Sequence, residues 1–256
     1  MKLSLLASGS KGNAVYLESG ETRVLIDAGL SAVEIIRRLE SISVDPQTLN
    51  AILVSHDHND HIRGAGTLAR KLKIPVITSY RTGQAAGHAL KKCDLIEFES
   101  GYRFTHRDLM IDPFPVTHDA VDPIGFVIES RDGKTGFATD FGIVTRLIAD
   151  KLSGCKMLVL EANHDVDMLM NGPYPWHLKQ RIKSRHGHIS NSESMELLED
   201  LLHDGLEAVF LAHLSETNNS PELPRDAANT LLAGQNICNP KLVIGEQHRA
   251  GCLVAI

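Results

Sequence analysis

An α/β fold of two β-sheets packed together and covered outside by helices is predicted for this chain by three observations. Short apolar runs rich in β-branched residues recur in both halves, and stretches with apolar residues three and four apart fall between them. No internal repeat, low-complexity tract or linker divides the sequence. The 256 residues suffice for one large core or two modest ones. An apolar fraction of 43% with 23% charged residues describes a globular chain rather than a disordered one.

The elements follow in order. LSLLAS (3 to 8), AVYLES (14 to 19) and TRVLIDAG (22 to 29) read as strands, divided by the turn-forming SGSKGN and GE. A helix is predicted over 31 to 40, where Val33, Ile36 and Leu39 keep helical spacing, and LNAILVSH (49 to 56) reads as a buried strand that delivers His56. Ile62, Ala65, Leu68, Ala69 and Leu72 recur at helical spacing, which puts Asp60 and His61 at a helix start. PVITS, a helix near 82 to 92 and LIEFE continue the rhythm. LMIDPFPVTH (109 to 118), GFVIES (125 to 130) and KTGFATD (134 to 140) read as β runs. A helix at 143 to 152 precedes the strand KMLVLEAN (156 to 163). After YPWHLKQRIKSR come a helix at 191 to 203, the strand EAVFLAH (207 to 213), a helix at 222 to 233 and the strands LVIGEQ and CLVAI.

Composition narrows the class. No apolar stretch approaches the roughly 18 residues of a membrane span, and the start MKLSLLASGSKGN lacks a signal-peptide layout, so a cytoplasmic protein without membrane contact is expected. Cys93, Cys155, Cys238 and Cys252 are scattered and form no CxxC, which favours reduced thiols. The net charge of −6 repels a polyanion unless a local patch reverses the field. Oligomeric state is not legible.

Chemistry concentrates in VSHDHNDH, residues 54 to 61. His56 and His58 lie two apart at a strand end, so an extended segment turns both imidazoles to one side. Asp60 and His61 follow at the turn into the helix. These four side chains suit Zn²⁺, with Mn²⁺ or Fe²⁺ as alternatives where carboxylates contribute. Further ligands are expected from His118, Asp140 and His213, each ending an apolar run. A histidine-rich surface loop would explain the first cluster alone, but not three more polar strand ends.

The run His56-Asp57-His58-Asn59-Asp60-His61, with His118, Asp140 and His213, resembles the metallo-β-lactamase superfamily and its HxHxDH signature. The resemblance covers nearly the whole chain and implies an αββα sandwich as a single domain over 1–256, two mixed β-sheets face to face with helices on both outer faces. It implies two divalent ions per chain: His56, His58 and His118 would hold one, Asp60, His61 and His213 the second, with Asp140 bridging. Two cations about 3.5 to 4 Å apart can activate a shared water and stabilise the charge that hydroxide attack adds to a phosphodiester. Asp60 is also a candidate acceptor for that water's proton.

Three stretches bear on the substrate. In SGSKGN, the side chains of Ser8, Ser10, Lys11 and Asn13 and nearby backbone N–H groups can approach an anion, although a plain hairpin turn would look the same. In KQRIKSRHGHISNSE, Lys179, Arg181, Lys183 and Arg185 gather positive charge before His188, and Ser190 with Glu193 forms a capping-box signal, placing Ser190 and Asn191 at a helix start suited to phosphate. His188 is the candidate for binding substrate phosphate or protonating the leaving oxygen. In LEANHD and AHLSETNN, Glu161 and His164 are expected beside the site, with His164 orienting substrate or supporting a ligand. Trp176 is expected to pack a loop against the sheet rather than to stack a base.

SGSKGN, SHDHNDH, LEANHD with NGPYPWHLKQRI, RHGHISN and AHLSETNN together resemble the YycJ (WalJ) branch of the superfamily. That resemblance implies a metal-dependent 5′-to-3′ exonuclease acting on DNA 5′ ends, with a proposed role in mismatch repair and with His188 in a phosphate-contacting loop. The alternatives are an RNA-directed nuclease, a hydrolase of a thioester, lactone or cyclic phosphodiester, and a non-catalytic metal-binding scaffold.

Overall fold

Strand pairing sorts the chain into two sheets of seven strands each in a computed structural model that describes residues 1–256. The first sheet takes β1 (Lys2–Ala7), β2 (Ala14–Ser19), β3 (Thr22–Ile26), β4 (Ala51–Leu53), β5 (Val76–Ser79) and β6 (Leu95–Phe98). The second takes β7 (Phe104–His106), β8 (Leu109–Pro115), β9 (Ile124–Ser130), β10 (Gly133–Ala138), β11 (Met157–Glu161), β12 (Ala208–Ala212) and β13 (Lys241–Ile244). The chain then returns to the first sheet, where β14 (Val254–Ala255) pairs with β1. Both sheets are mixed: β1 to β3 are antiparallel and β3 to β6 parallel, while β7 to β10 are antiparallel and β10 to β13 parallel.

The period-two alternation of strand side chains sets the layers. Leu3, Val15, Ile26 and Leu53 of the first sheet meet Ile111, Phe126, Phe137, Val159 and Phe210 of the second in one buried cluster. Their neighbours Leu6, Tyr16, Leu25 and Ile52 turn outward onto α1 (Ala32–Ser41) and α3 (Ala65–Leu72), which follows the single turn α2 (Asn59–Ile62). Beyond α4 (Tyr80–Ala86), the opposite outer face is covered by α5 (Arg146–Leu152). Past α6 (Val166–Asn171) and α7 (Trp176–Ile182), α8 (Asn191–Asp200) and α9 (Glu222–Ala233) complete that layer against Leu158, Leu160, Val209 and Leu211. The result is the αββα sandwich. At about 1.5–3 kcal/mol for each fully buried large apolar side chain, these three clusters dominate the stabilisation.

Local differences from the sequence reading have physical causes. The helix expected near 82 to 92 starts at Tyr80, because Ser79 accepts from the Thr82 N–H as its cap, and stops at Ala86 before Gly87 at φ +43°. The strand read as 49 to 56 pairs only over Ala51–Leu53. The edge strand β7 and the short α6 carry too little apolar periodicity to be read in advance.

Topology gathers one set of strand ends. β3 and β4 run parallel, and so do β10, β11 and β12, with β8 in the same sense two antiparallel steps away. Asp27, residues 54 to 61, His118, Asp140, Glu161 and His213 all stand at or just past their carboxyl ends. Open α/β sheets place their ligand sites at this edge. The loop from β4 is seated by backbone contact: Asn13 N–H donates to the Asp60 carbonyl at 2.8 Å, and Ala28 N–H to the His61 carbonyl at 2.7 Å. At Gly29, an added Cβ would overlap the Asp60 carbonyl. Gly29→Ala should therefore lower stability by about 1–3 kcal/mol through overpacking, read as a lower urea midpoint. An unchanged midpoint would show that this approach has slack.

Candidate metal centre

Each of the five histidines expected as ligands is tied at one ring nitrogen by a neighbouring protein group, so that its other nitrogen faces the cluster. The Asp27 carboxylate takes the Ser55 N–H at 2.8 Å, the Ser55 hydroxyl at 2.8 Å and the His61 Nδ1–H at 2.8 Å. With its proton on Asp27, Ser55 Oγ accepts from His56 Nδ1 at 2.9 Å. His58 Nε2 donates to the Asp119 carbonyl at 3.2 Å, and His118 Nδ1 to the Gly187 carbonyl at 3.1 Å. His213 Nδ1 donates to Glu161 Oε1 at 2.8 Å. These bonds turn His56 Nε2, His58 Nδ1, His61 Nε2, His118 Nε2 and His213 Nε2 toward one another. Bonds of this kind fix the tautomer and orientation of metal-binding imidazoles.

The structure brings all seven expected residues together. His56, His58 and His118 form one group whose ligand atoms lie within 4.8 Å of one another, and Asp60, His61 and His213 form a second. Asp140 groups with His56 and His61, and separately with Glu161, His188 and His213. Its Oδ2 is 3.4 Å from His61 Nε2, while its Oδ1 is 3.4 Å from His213 Nδ1 and 3.9 Å from His118 Nε2. It stands between the two groups.

Two observations fit this cage to cations. His56 Nε2, Asp140 Oδ2 and His213 Nε2 are buried without any hydrogen-bond partner, a costly state in a protein interior unless something positive binds there. The charges also alternate. Burial pulls the His213 imidazole toward neutrality, yet the Asp140 charge and the neighbouring Asp60 and Glu161 carboxylates push it up to about 10. His61 is likewise raised well above the histidine range, against burial, by Asp140 and Asp27. Burial would raise Asp140, but His213 and His61 hold it well below the carboxylate range. For Glu161, burial is outweighed by His188 and His213, which bring it to about 2. Protons on His61 and His213 thus occupy places a divalent ion would take, so metal affinity falls as pH drops.

Backbone conformation marks the same strand ends. Asp27, Asp140 and His213 adopt the left-handed region at φ 62°, 59° and 58°. Non-glycine residues rarely stay there unless their surroundings over-determine them, and such strain gathers at functional sites.

Asp27 was missing from the sequence reading. Its signal was present: a carboxylate that ends the apolar run VLID and precedes AG, placed as Asp140 and His213 are placed. Glu161, expected beside the site, is fully buried and accepts from His213 Nδ1 and from His188 Nδ1 at 2.8 Å, with the Phe141 N–H at 3.2 Å on its second oxygen.

The expected substrate residues divide. A cleft of about 230 Å³ opens onto the ligands and is lined by Ser10, Tyr174, Arg181, His188 and Ser215 among others. Ser8 lies outside it, buried, with its hydroxyl accepting the His213 N–H at 2.6 Å. Asn13 contacts the ligands themselves, with Nδ2 3.0 Å from His61 Nε2 and 3.4 Å from Asp60 Oδ2. Lys11 turns to Glu216 at 2.8 Å. The start of α8 is closed rather than open to phosphate: Ser190 and Glu193 bond each other in a capping box, and Asn191 is buried in a reciprocal amide pair with Asn219. Lys179 is buried and donates to the Met170 carbonyl at 2.7 Å, while Arg185 is exposed and does not line the cleft. His164 is 2% exposed and stands behind the cleft wall, where its backbone pairs with Ser190. Trp176, expected to pack a loop, is 60% exposed because it opens α7 on the outer surface. A larger hollow of about 480 Å³ around Tyr80, Glu97 and Asp122 holds none of the seven ligands.

Fold and site together define a metal-dependent hydrolase of the metallo-β-lactamase fold. The family model "Beta-lactamase superfamily domain" matches residues 22–213. Exodeoxyribonuclease WalJ of Streptococcus pneumoniae serotype 2 is 40% identical over 227 residues, covering 87% of this chain and 84% of that one. Exodeoxyribonuclease YycJ of Bacillus anthracis is 35% identical over 235 residues, covering 91% and 89%. Among solved structures, the metallo-beta-lactamase fold protein YhfI of Bacillus subtilis superposes with a TM-score of 0.74 at 18% identity, covering 98% of each chain. The chain belongs to the beta-lactamase superfamily and, within it, to the YycJ/WalJ family.

The Asp27 bonds give a direct test. Asp27→Ala frees the His61 ring and the Ser55 hydroxyl at once and should weaken metal binding about 10- to 100-fold, measured by competition with a chromophoric chelator. Wild-type affinity would show that His61 is held by other contacts.

Proposed function

We infer that this chain is a dinuclear metal-dependent phosphodiesterase that degrades DNA from the 5′ end. The carrying observation is the pair of imidazole groups sharing Asp140, with bare buried atoms at His56, Asp140 and His213. Support for DNA comes from the two exodeoxyribonuclease relatives, each covering more than four-fifths of the chain. Zn²⁺ and Mn²⁺ suit the mixed imidazole and carboxylate donors, with Fe²⁺ the next candidate. Reduced scattered thiols accord with a cytoplasmic location, and no helix is long and apolar enough to cross a membrane.

His56, His58 and His118 would hold one ion and Asp60, His61 and His213 the other, with Asp140 between them. Such a pair supplies Lewis acidity and a nucleophilic water at neutral pH. The residues supply the rest. Asp60 lines the cleft with its carboxylate partly exposed, and its neighbours His213 and His61 keep it ionised against the effect of burial, so it can accept the proton of an attacking water. On the facing wall, His188 has its Nδ1–H fixed on Glu161 and presents Nε2 to the cleft. From there it can contact a phosphate oxygen or protonate the leaving oxygen. Glu161 binds both His188 and His213, so the proton-handling group and the ligand set share one rigid mount.

The test compares 5′-phosphorylated single- and double-stranded DNA, RNA and bis(p-nitrophenyl) phosphate, with Mn²⁺ or Zn²⁺ added to metal-free protein. Ordered release from the DNA 5′ end is expected. His188→Ala should lower kcat on DNA about 10²- to 10⁴-fold, the usual size of a general acid–base contribution, with full metal content retained. Hydrolysis of the chromogenic ester without attack on DNA would contradict the DNA reading, and loss of metal in His188→Ala would make that residue a ligand.

A further inference from the structure

A cleft that receives a nucleic-acid strand needs a cation aimed at phosphate, and the charge balance of this chain makes that cation scarce. Arg181 is the single lysine or arginine that lines the cleft. Of the other basic side chains of its segment, Lys179 donates to the Met170 carbonyl, and neither Lys183 nor Arg185 lines the cleft.

The partner of Arg181 is informative. Its Nε and Nη2 both donate to Asp119 Oδ2, each at 2.6 Å. The second oxygen of the same carboxylate, Oδ1, lies 3.4 Å from His118 Nε2 and 3.7 Å from His58 Nε2. Asp119 is thus an anion wedged between the guanidinium and two imidazoles of the first ligand group. A phosphate oxygen that paired with the Arg181 guanidinium in the same way would take that position. Carboxylate and phosphate offer an arginine the same paired acceptors. Both side chains are partly open to solvent, at 58% for Arg181 and 33% for Asp119. An exposed ion pair of this sort adds little to stability and is readily exchanged for another anion.

Arg181 is also firmly positioned relative to His188. His188 N–H donates to the Ile182 carbonyl at 2.9 Å, and a Cβ at Gly187 would overlap the carbonyls of Arg181 and Ile182. The end of α7 and the loop bearing His188 therefore form one wall.

We propose that Arg181 is the residue that recognises substrate phosphate, and that Asp119 is its built-in counterion, displaced when the strand enters. The proposal deepens the phosphodiesterase reading and rests on it. Asp119 acts through Arg181, so it is a positioning residue. Its backbone carbonyl, which holds His58, is untouched by side-chain substitution.

The experiment measures KM and kcat on 5′-phosphorylated single-stranded DNA, together with the Ki of deoxyadenosine 5′-monophosphate against bis(p-nitrophenyl) phosphate hydrolysis. Wild-type protein is compared with Arg181→Ala, Arg181→Lys, Asp119→Asn and the double variant Asp119→Asn/Arg181→Ala, all at full metal content. Arg181→Ala should raise both KM and Ki about tenfold, the size expected for losing one charge-assisted pair, with kcat within about twofold. Arg181→Lys should fall between, since it keeps the charge but not the fork. Asp119→Asn should lower Ki severalfold, and the double variant should match Arg181→Ala. A Ki within about twofold of wild type in Arg181→Ala, or an unchanged or raised Ki in Asp119→Asn, overturns the proposal. If wild-type protein leaves DNA intact, the nuclease reading falls, while the monophosphate Ki still decides the role of Arg181.

Discussion

Everything at the functional edge depends on hydrogen bonds made on the far side of the imidazoles. Asp27, through Ser55 and His61, and Glu161, through His213 and His188, grip outer ring nitrogens so that inner atoms have no choice of direction. A buried carboxylate can do this because each is saturated by donors, Asp27 by three and Glu161 by two imidazoles and the Phe141 and Ile189 N–H groups. Without those bonds, the His56, His61 and His213 rings would lose the contacts that fix their tautomer and direction.

The sandwich supplies the distances. Neither sheet alone could build the cage, since the first contributes Asp27 and residues 54 to 61 while the second contributes His118, Asp140, Glu161 and His213. Packing of the two inner faces through Phe126, Phe137 and Phe210 fixes one sheet edge against the other. Three of the residues at that edge hold left-handed backbone, and the contacts around them stabilise a conformation that an isolated strand end would leave.

Much of this was legible in the sequence, for reasons that also explain the rest. His56, His58, Asp60 and His61 sit close in the chain, and His118, Asp140 and His213 each end an apolar run, so strand direction alone could gather them. The strands of the core follow the alternation of their apolar residues, with errors of a few residues at their ends. What stayed hidden were roles decided by long-range partners. Ser8 looked like a phosphate contact but accepts from the His213 backbone, a residue far along the chain. Lys11, Lys179, Ser190 and Asn191 looked available and are each taken by a protein group. Arg185 and Arg181 are indistinguishable as letters four apart, but α7 ends at Ile182, which leaves Arg181 on the helix beside the cleft and Arg185 in the loop beyond it. Asp27 shows the converse, a functional carboxylate concealed in a run that reads as ordinary strand.

The central claim is that the two ligand groups hold two cations that share Asp140. Anomalous X-ray diffraction from crystals grown with Zn²⁺, recorded at the zinc edge, tests it most directly. The account predicts two peaks per chain about 3.5–4 Å apart, one beside His56, His58 and His118, the other beside Asp60, His61 and His213, with Asp140 touching both. A single peak, or two that leave Asp140 without a metal contact, would contradict it.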